Sequence, residues 1–391
     1  MQKQLHTYLA RGKDIYAIHQ KEIKLASNIR VANRQLYQEI EEACKKSEGV
    51  LTYAEYLTVD QFGENGYYAT AKFHGKTDVE KRWGQALANY CLKNGYETLI
   101  EFGCGSGELG VAVVKAYKKQ TNKTFKWLGV EIDEELHKKI RENFKSQKLE
   151  NEITGIVTSI DELPDIQKAL IVFPYSLDNI PPQMFVNTKS YNSYPDGIIG
   201  IRAENGVLSE VIIPKNILQK KGLQLEKGFF KEKNTTFNFS SWKLRKGQRA
   251  YVSTDAFQAL YQYAKKFGDN GTICIIDEFR KEPLVALENL GIPKSLYEKN
   301  LICYDRIRYY HESGKHNLYY PLYKDSVLKF LHAIGFQSID YDIEQKKATE
   351  LKNKSWFSPG KGYTTFTFFA KDFVEKKNTS LPVPFPVHKL Y

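Results

Sequence analysis

One unit constrains this chain more than any other: a short apolar run, a glycine turn and a helix. Thr98-Leu99-Ile100-Glu101-Phe102 leans towards a strand. Gly103-Cys104-Gly105-Ser106-Gly107 follows, and the segment from Glu108 to about Lys119 reads as helix. The alternation continues without further glycine triplets. Strands are expected at Phe125 to Val130, ending at Glu131, at Ile153 to Thr158 and at Ala169 to Phe173, with a helix from Glu134 to Gln147. Strands apolar on both faces, separated by helices, specify a doubly wound, mostly parallel α/β sheet. The rhythm stops from about Pro182 to Gly247. It resumes with a helix at Thr254 to Phe267, a strand at Thr272 to Ile276 and a helix at Lys324 to Ile334. Strands at Ser338 to Tyr341 and Thr364 to Ala370 then read as an antiparallel edge hairpin.

Residues 1 to about 48 read as helix, with breaks near Gly12 and Asn28. Thr52 to Thr58 reads as a second helix before the Gly63 to Gly66 turn, and Asp78 to Lys93 as an amphipathic one closed by Asn94-Gly95. The interruption carries β-like runs at Ile198 to Ala203, Val207 to Ile213 and Thr235 to Trp242, the pattern of an antiparallel insertion. The chain divides into an N-terminal helical region (1–95), the first half of the α/β unit (96–181), a basic β-rich insertion (182–250), the second half (251–372) and a tail (373–391) read as poorly packed.

Composition excludes several classes. A hydrophobic fraction of 42% rules out disorder across the 391 residues. No apolar run approaches the ~20 residues of a membrane span. Met1 to Lys21 is polar and lacks an apolar signal core, so a cytoplasmic location is expected. The five cysteines are scattered without a CxxC pair, which argues for free thiols and against a metal centre. The charge is concentrated. Lys215 to Arg249 holds ten Lys/Arg and two acids, so this segment carries +8 of the net +11. Phe229, Phe230, Phe237, Phe239 and Trp242 interleave with these bases. Such a mixture can bind single-stranded nucleic acid through phosphates and base stacking, grip an acidic peptide, or form a hairpin with aromatics inside and lysines solvated.

Glycines at 103, 105 and 107 allow a tight turn and close approach of a ligand to the backbone, and the following helix offers free N–H groups. Glu101 precedes them, and Glu131 ends the next strand, 24 residues after Gly107. A carboxylate at that place can accept both hydroxyls of an adenosine ribose. The turn could serve packing alone, a dinucleotide, or S-adenosylmethionine. A carboxylate at Glu101 repels a pyrophosphate but suits a cationic ligand with an amino-acid end, which favours S-adenosylmethionine. Ligands of such sheets sit at the carboxyl ends of the strands. Pro174, Tyr175, Ser176, Leu177, Asp178 and Asn179 should therefore face the reacting methyl. Asp178 could orient or deprotonate an acceptor, or cap a turn before Ile180-Pro181. Tyr175 could close over the cofactor or simply pack. Asp277 and Glu278 could line the acceptor pocket or lie in a solvated loop. His74 and His311 are isolated.

These residues resemble the class I S-adenosylmethionine-dependent methyltransferases and, more narrowly, the MidA-like family, which includes a mitochondrial assembly-factor arginine methyltransferase. The resemblance spans roughly residues 50–345. Tyr53-Ala54-Glu55-Tyr56-Leu57 with Gly66-Tyr67-Tyr68-Ala69-Thr70 is similar to the family's "YM…GYYT" segment. Trp83 to Ala88 is similar to its "FGRALA" helix, and Val130-Glu131-Ile132 to its ribose acid. Ser159-Ile160 through Leu163-Pro164 is similar to the adenine-side "DSL…LP". Leu177 to Pro181 is similar to "FDALP", and Ile275-Ile276-Asp277 to "LIDYG". Departures are Pro174-Tyr175 where the family has Asn-Glu, Thr158 in place of an acid near the adenine, and Lys72-Phe73-His74-Gly75 where it has Gly-Asp-Phe-Thr. The resemblance implies a seven-stranded Rossmann-like sheet and S-adenosylmethionine as cofactor. It implies cofactor contacts from Glu101, Gly103, Cys104, Gly105, Gly107, Glu131, Ile132, Ser159, Ile160 and Pro174. Catalytic roles are expected for Asp178, Tyr175 and Asp277, and acceptor contacts from Tyr67, Tyr68, Ser176, Asn179 and Glu278. The implied reaction is in-line methyl transfer to a protein or peptide side chain, arginine first. The alternatives are an RNA or small-molecule methyltransferase, which a partial Pro174-Tyr175 echo of an N/D-P-P-Y loop would suit, and a non-catalytic assembly factor.

Overall fold

A computed structural model describes residues 25, 27–67, 77–166, 168–177, 179–188, 193–242, 244, 249–268, 271–280, 324–341, 363–376 and 380–383. Asp178, Tyr68, His74, His311 and Cys303 lie outside them, as do residues 1–24.

The central sheet is built from β3 (Thr98–Phe102), β4 (Lys126–Val130), β5 (Ile153–Val157), β6 (Leu170–Pro174), β14 (Thr272–Arg280), β15 (Ser338–Tyr341) and β16 (Tyr363–Lys371). Their order is β15-β16-β14-β6-β3-β4-β5. The expected seven-stranded, doubly wound α/β sheet is the one found. The pairs β5·β4, β4·β3, β3·β6 and β6·β14 are parallel, and β16 runs antiparallel to both β14 and β15. The expected pairing of the last two strands is found, but β16 inserts between β14 and β15, so of these two strands β15 alone lies at an end of the sheet.

Strand alternation sorts the core into two layers. Leu99, Trp127, Val172, Cys274 and Phe369 face α3 (Thr77–Asn94), α4 (Glu108–Thr121) and α5 (Glu134–Ser146). Ile100, Leu128, Phe173, Ile275 and Phe368 face α7 (Thr254–Phe267) and α8 (Lys324–Ile334). Both faces are covered, which is why these strands read as continuous apolar runs.

The insertion is larger than its periodicity suggested. One sheet joins β7 (Gln183–Val186), β8 (Gly197–Glu204), β9 (Val207–Ile212) and β13 (Arg249–Val252). It also takes β1 (Ile29–Arg30) and β2 (Leu51–Thr52) from the N-terminal region. The helical reading of Ile29–Arg30 is thus corrected: tertiary pairing with Leu208 and Val207 overrides local periodicity. α1 (Arg34–Lys46) and α2 (Tyr53–Phe62) pack on this sheet through Leu36, Ile40, Tyr53, Tyr56 and Leu57. A reciprocal capping box between Thr52 and Glu55 starts α2. A further sheet joins β10 (Leu223–Glu226), β11 (Phe229–Glu232) and β12 (Thr235–Asn238), with a helical turn α6 (Lys215–Lys220) ahead of it.

That last sheet also corrects the reading of the tail. β17 (Leu381–Pro382) runs parallel to β12. Leu381 and Val383 are buried, and the Trp242 indole donates to the Val383 carbonyl at 2.9 Å. Phe373 packs on Phe336 with ring centroids 5.1 Å apart. Apolar residues spaced between charges and prolines give no period, so only the fold reveals their burial.

Two expectations follow. Phe373→Ala should cost roughly 3–4 kcal/mol in urea unfolding, the range for a buried aromatic; an unchanged midpoint would mean the tail is not part of the core. Asp60 in α2 is almost fully buried, and desolvation pushes its carboxyl up to about 7 from 3.8. A raised carboxyl holds its proton in the folded state while the unfolded chain ionises, so stability is lost as pH rises from about 4 to about 7. Asp60→Asn should therefore stabilise more at pH 8 than at pH 5, by about 2 kcal/mol.

Candidate functional site

The carboxyl ends of β3, β4 and β6 meet at the glycine turn. The end of β4 holds it: the N–H groups of Gly103 and Cys104 both donate to the Val130 carbonyl, at 2.8 and 3.3 Å. Gly107 N–H closes the turn onto Cys104 O at 2.8 Å. The Gly105 N–H donates to Glu131 Oε2 at 2.7 Å. The two features that stood apart in sequence, the glycines and the strand-end acid, are thus in direct contact. Glu131 Oε1 also accepts from Asp133 N–H at 3.1 Å. Burial raises the Glu131 carboxyl above its ordinary range, and these two backbone donors oppose that rise.

Glu101 is buried below the turn, where its Oε2 accepts from the Trp127 indole at 2.9 Å. Trp127 fits because Gly110 and Gly129 carry no Cβ; one built there would come within 2.2 and 2.4 Å of the indole. Those two glycines were the signal for Trp127, which sequence reasoning missed. Cys104 is buried near Glu101 and Glu131. Desolvation first, then those carboxylates, raise its thiol well above the usual range. It packs as a small apolar residue.

The turn leaves room for a ligand. Gly105 has φ +54° and nothing within 4 Å of where a Cβ would lie. Ile132, immediately after Glu131, is 77% exposed, an apolar surface next to the turn's acid. The end of β5 lies alongside, since Glu131 N–H donates to Val157 O at 2.9 Å. Ser159 and Ile160 follow there, half-buried. The Ser159 and Thr158 hydroxyls both donate to Glu162 Oε1. Glu162 was not among the sequence candidates, yet it returns a carboxylate to the place where Thr158 had appeared to remove one. Its spacing of four residues from Thr158 was the available clue.

On the other side, Pro174 ends β6 and Tyr175 takes a left-handed conformation at φ +48°. Tyr175 N–H donates to Ile276 O at 2.6 Å, its carbonyl accepts from the Asn179 amide at 2.8 Å, and its ring packs half-buried on the α3–α4 layer. Ser176 comes up to Gly103, its Cβ 3.0 Å from where a Gly103 Cβ would be, and its buried hydroxyl lacks a partner among the described residues. Asp277 is fully buried, and its Oδ2 accepts from Leu177 N–H at 3.0 Å. Asp277 therefore lies beneath the loop and holds its backbone, which overturns the solvated-loop alternative. Glu278 continues β14, paired with Thr365. Tyr67 is half-buried beyond α2.

A family model described as "Putative S-adenosyl-L-methionine-dependent methyltransferase" matches residues 84–285. The chain belongs to this methyltransferase family. It is an S-adenosylmethionine-dependent enzyme, as the turn and the two acids had suggested. Among solved structures, an uncharacterized COG1565 superfamily protein from Burkholderia thailandensis shares the fold. Its TM-score is 0.55 at 13% identity, over 90% of this chain and 96% of that one. A second COG1565 superfamily member from Burkholderia thailandensis, bound to S-adenosyl-homocysteine, aligns at 14% identity with a TM-score of 0.44, over 64% of this chain and 65% of that one. No curated protein matches the sequence.

The residues present fit the methyltransferase cofactor. An open glycine turn, a carboxylate beside it, a bare isoleucine and an unpartnered serine hydroxyl supply the polar and apolar surfaces it needs. Among the described residues no group of acidic, histidine and cysteine side chains is arranged to hold a metal ion.

Glu131→Gln should weaken S-adenosylhomocysteine binding by roughly 1–3 kcal/mol in calorimetry. Because the Glu131 carboxyl is raised, wild-type affinity should fall on acidification before pH reaches the ordinary carboxylate range, and Glu131→Gln should flatten that profile. Gly105→Ala meets no clash but takes an unfavourable φ, costing about 1–2 kcal/mol of stability. Its loss of cofactor affinity should exceed its loss of stability.

Proposed function

We propose that this enzyme is a MidA-like methyltransferase that transfers the methyl group to a nitrogen of a protein or peptide side chain, arginine foremost, in the cytoplasm. The observation that carries the choice of acceptor is the orientation of the insertion's aromatics. Phe230, Phe237, Phe239 and Trp242 are buried, and Phe185 packs among them. Only Phe229 of the five is exposed, at 41%. Base stacking on the buried four is therefore closed off, which favours a polypeptide over single-stranded nucleic acid. Lys221, Lys220 and Arg249 pair with Glu55, Glu48 and Glu210. Lys227, Lys231 and Lys233 stand on the sheet formed by β10–β12 or its turns, where a basic surface suits an acidic stretch of a partner chain. The buried thiols Cys44, Cys91, Cys104 and Cys274 are free, which fits a reducing compartment.

The cofactor, when bound, supplies a methyl group made electrophilic by its sulfonium. The protein's own task is orientation and exclusion of water. The glycine turn would offer backbone N–H groups, Glu131 would accept the ribose hydroxyls, Ile132 and Ile160 would cover the adenine, and Ser176 would complete the polar wall. Asp277 and Asn179 act one step back by fixing the Tyr175–Leu177 backbone. Asp178 is the proposed acceptor-facing carboxylate, to orient the nitrogen and take its proton.

Incubation of a cell extract with methyl-tritiated S-adenosylmethionine and the enzyme tests this. Label should be lost to protease, survive RNase and be recovered as methylarginine after hydrolysis. Label removed by RNase, or confined to small molecules, would refute the reading. Asp178→Asn should lower turnover by 10²-fold or more while leaving cofactor affinity within a few fold.

A further inference from the structure

Within the strongly basic segment one acid is buried. Glu232, the last residue of β11, is 9% exposed. Its Oε1 accepts from Gln183 Nε2 at 3.3 Å and its Oε2 from Thr254 Oγ1 at 3.0 Å. Gln183 is 3% exposed, and its own Oε1 has no hydrogen-bond partner among the described residues. Asp255 adjoins Thr254 at the start of α7 and keeps an exposed face, yet the protein around it desolvates its carboxyl enough to raise it. Desolvation, then the charge of Asp255, raises Glu232 as well. Lys233 stands near both carboxylates and offsets them in part. Glu232 thus has a second carboxylate, Asp255, near enough to raise it, and a Gln183 amide whose oxygen lacks a partner among the described residues, against one lysine.

The cluster also adjoins the loop that leaves β6. Gln183 directly follows Pro181-Pro182, and Ser253 Oγ donates to Ile180 O at 3.1 Å. That loop begins at Pro174, above the cofactor turn. Two carboxylates set against one lysine, with an amide oxygen left over beside them, call for a cation carrying several N–H donors, and a guanidinium presents five in one plane.

We propose that Glu232, Asp255 and the Gln183 carbonyl form a specificity-determining site that holds a cationic side chain of the acceptor beside the cofactor cleft. The proposal rests on the polypeptide-acceptor reading above and names where the acceptor's charge is read. It assigns these residues to recognition, with no part in the transfer itself.

The test uses the full chain saturated with S-adenosylhomocysteine and two probes, N-acetyl-arginine methylamide and its neutral isostere N-acetyl-citrulline methylamide, titrated by NMR. The arginine probe should bind about tenfold or more tighter than the citrulline probe, as expected for a charge-assisted pair. Glu232→Gln and Asp255→Asn should each remove most of that difference, while S-adenosylhomocysteine affinity changes less than about twofold. Asp255, with its exposed face, provides a variant that does not disturb the core. Equal binding of the two probes by the wild type, or an arginine preference that survives both substitutions, would overturn the proposal. So would a melting temperature raised by calcium chloride in the wild type but not in Asp255→Asn, which would reassign the cluster to a divalent metal. Failure of the wild type to bind S-adenosylhomocysteine would sink the cofactor reading instead, and the probe comparison on the unliganded chain would still decide this one.

Discussion

The contact between the Gly105 N–H and the Glu131 carboxylate is the constraint on which the site depends. It ties the turn after one strand to the end of the next. With Val130 O accepting from both Gly103 and Cys104, it leaves the turn little freedom to collapse. A glycine turn without such a brace would cost conformational entropy each time a ligand ordered it. Here the order is built in before binding. The same carboxylate keeps unused lone pairs, since each of its oxygens accepts only one backbone N–H in the described contacts. It can therefore brace the turn and still take a ribose hydroxyl.

Below the turn the logic is electrostatic. Glu101 lies buried with one oxygen on the Trp127 indole, and Trp127 packs at a tilt on Phe144 of α5 with centroids 4.7 Å apart. The acid is thus held by an aromatic that is itself fully buried between Gly110, Gly129 and Phe144. Both Glu101 and Glu131 are near enough to Cys104 to raise its thiol, so the floor of the cradle is negative. That polarity separates a cationic sulfur nucleoside from a dinucleotide better than the glycine spacing does, because a pyrophosphate would have to enter a field of its own sign.

Legibility in the sequence followed the range of the forces involved. The central sheet was readable because its strands are buried on both faces and its helices are amphipathic, so each element announces itself within ten residues. The helix at Thr254–Phe267 appears with the expected bounds. The short strands β7, β10, β11 and β13 were not readable. Each spans four residues, and their register comes from partners elsewhere, such as Arg249 facing Val186. β1 lies in a segment of helical periodicity and becomes a strand only because β9 offers an edge. The site divides in the same way. Gly103, Gly105, Gly107, Glu101 and Glu131 were visible as a motif. The anchoring role of Asp277 and the arrival of Glu162 at Thr158 require the three-dimensional meeting of strand ends.

The same division separates the two halves of the enzyme's task. The glycine turn is held within one βαβ unit by contacts in which every donor is a backbone N–H. On the proposed reading acceptor recognition falls to the loop after β6, and between β6 and α7 this chain has built two additional sheets, one of which also takes β1 and β2 from its N-terminal region. Their aromatic residues are spent on holding those sheets together, with Phe230, Phe237, Phe239 and Trp242 forming one buried group. What remains to face a partner is charge: lysines on the outer strands and turns, and the pair of buried Glu232 and more exposed Asp255. A surface whose information is carried by charge selects its partner by charge pattern, so discrimination among acceptors should weaken with salt far more than cofactor binding does.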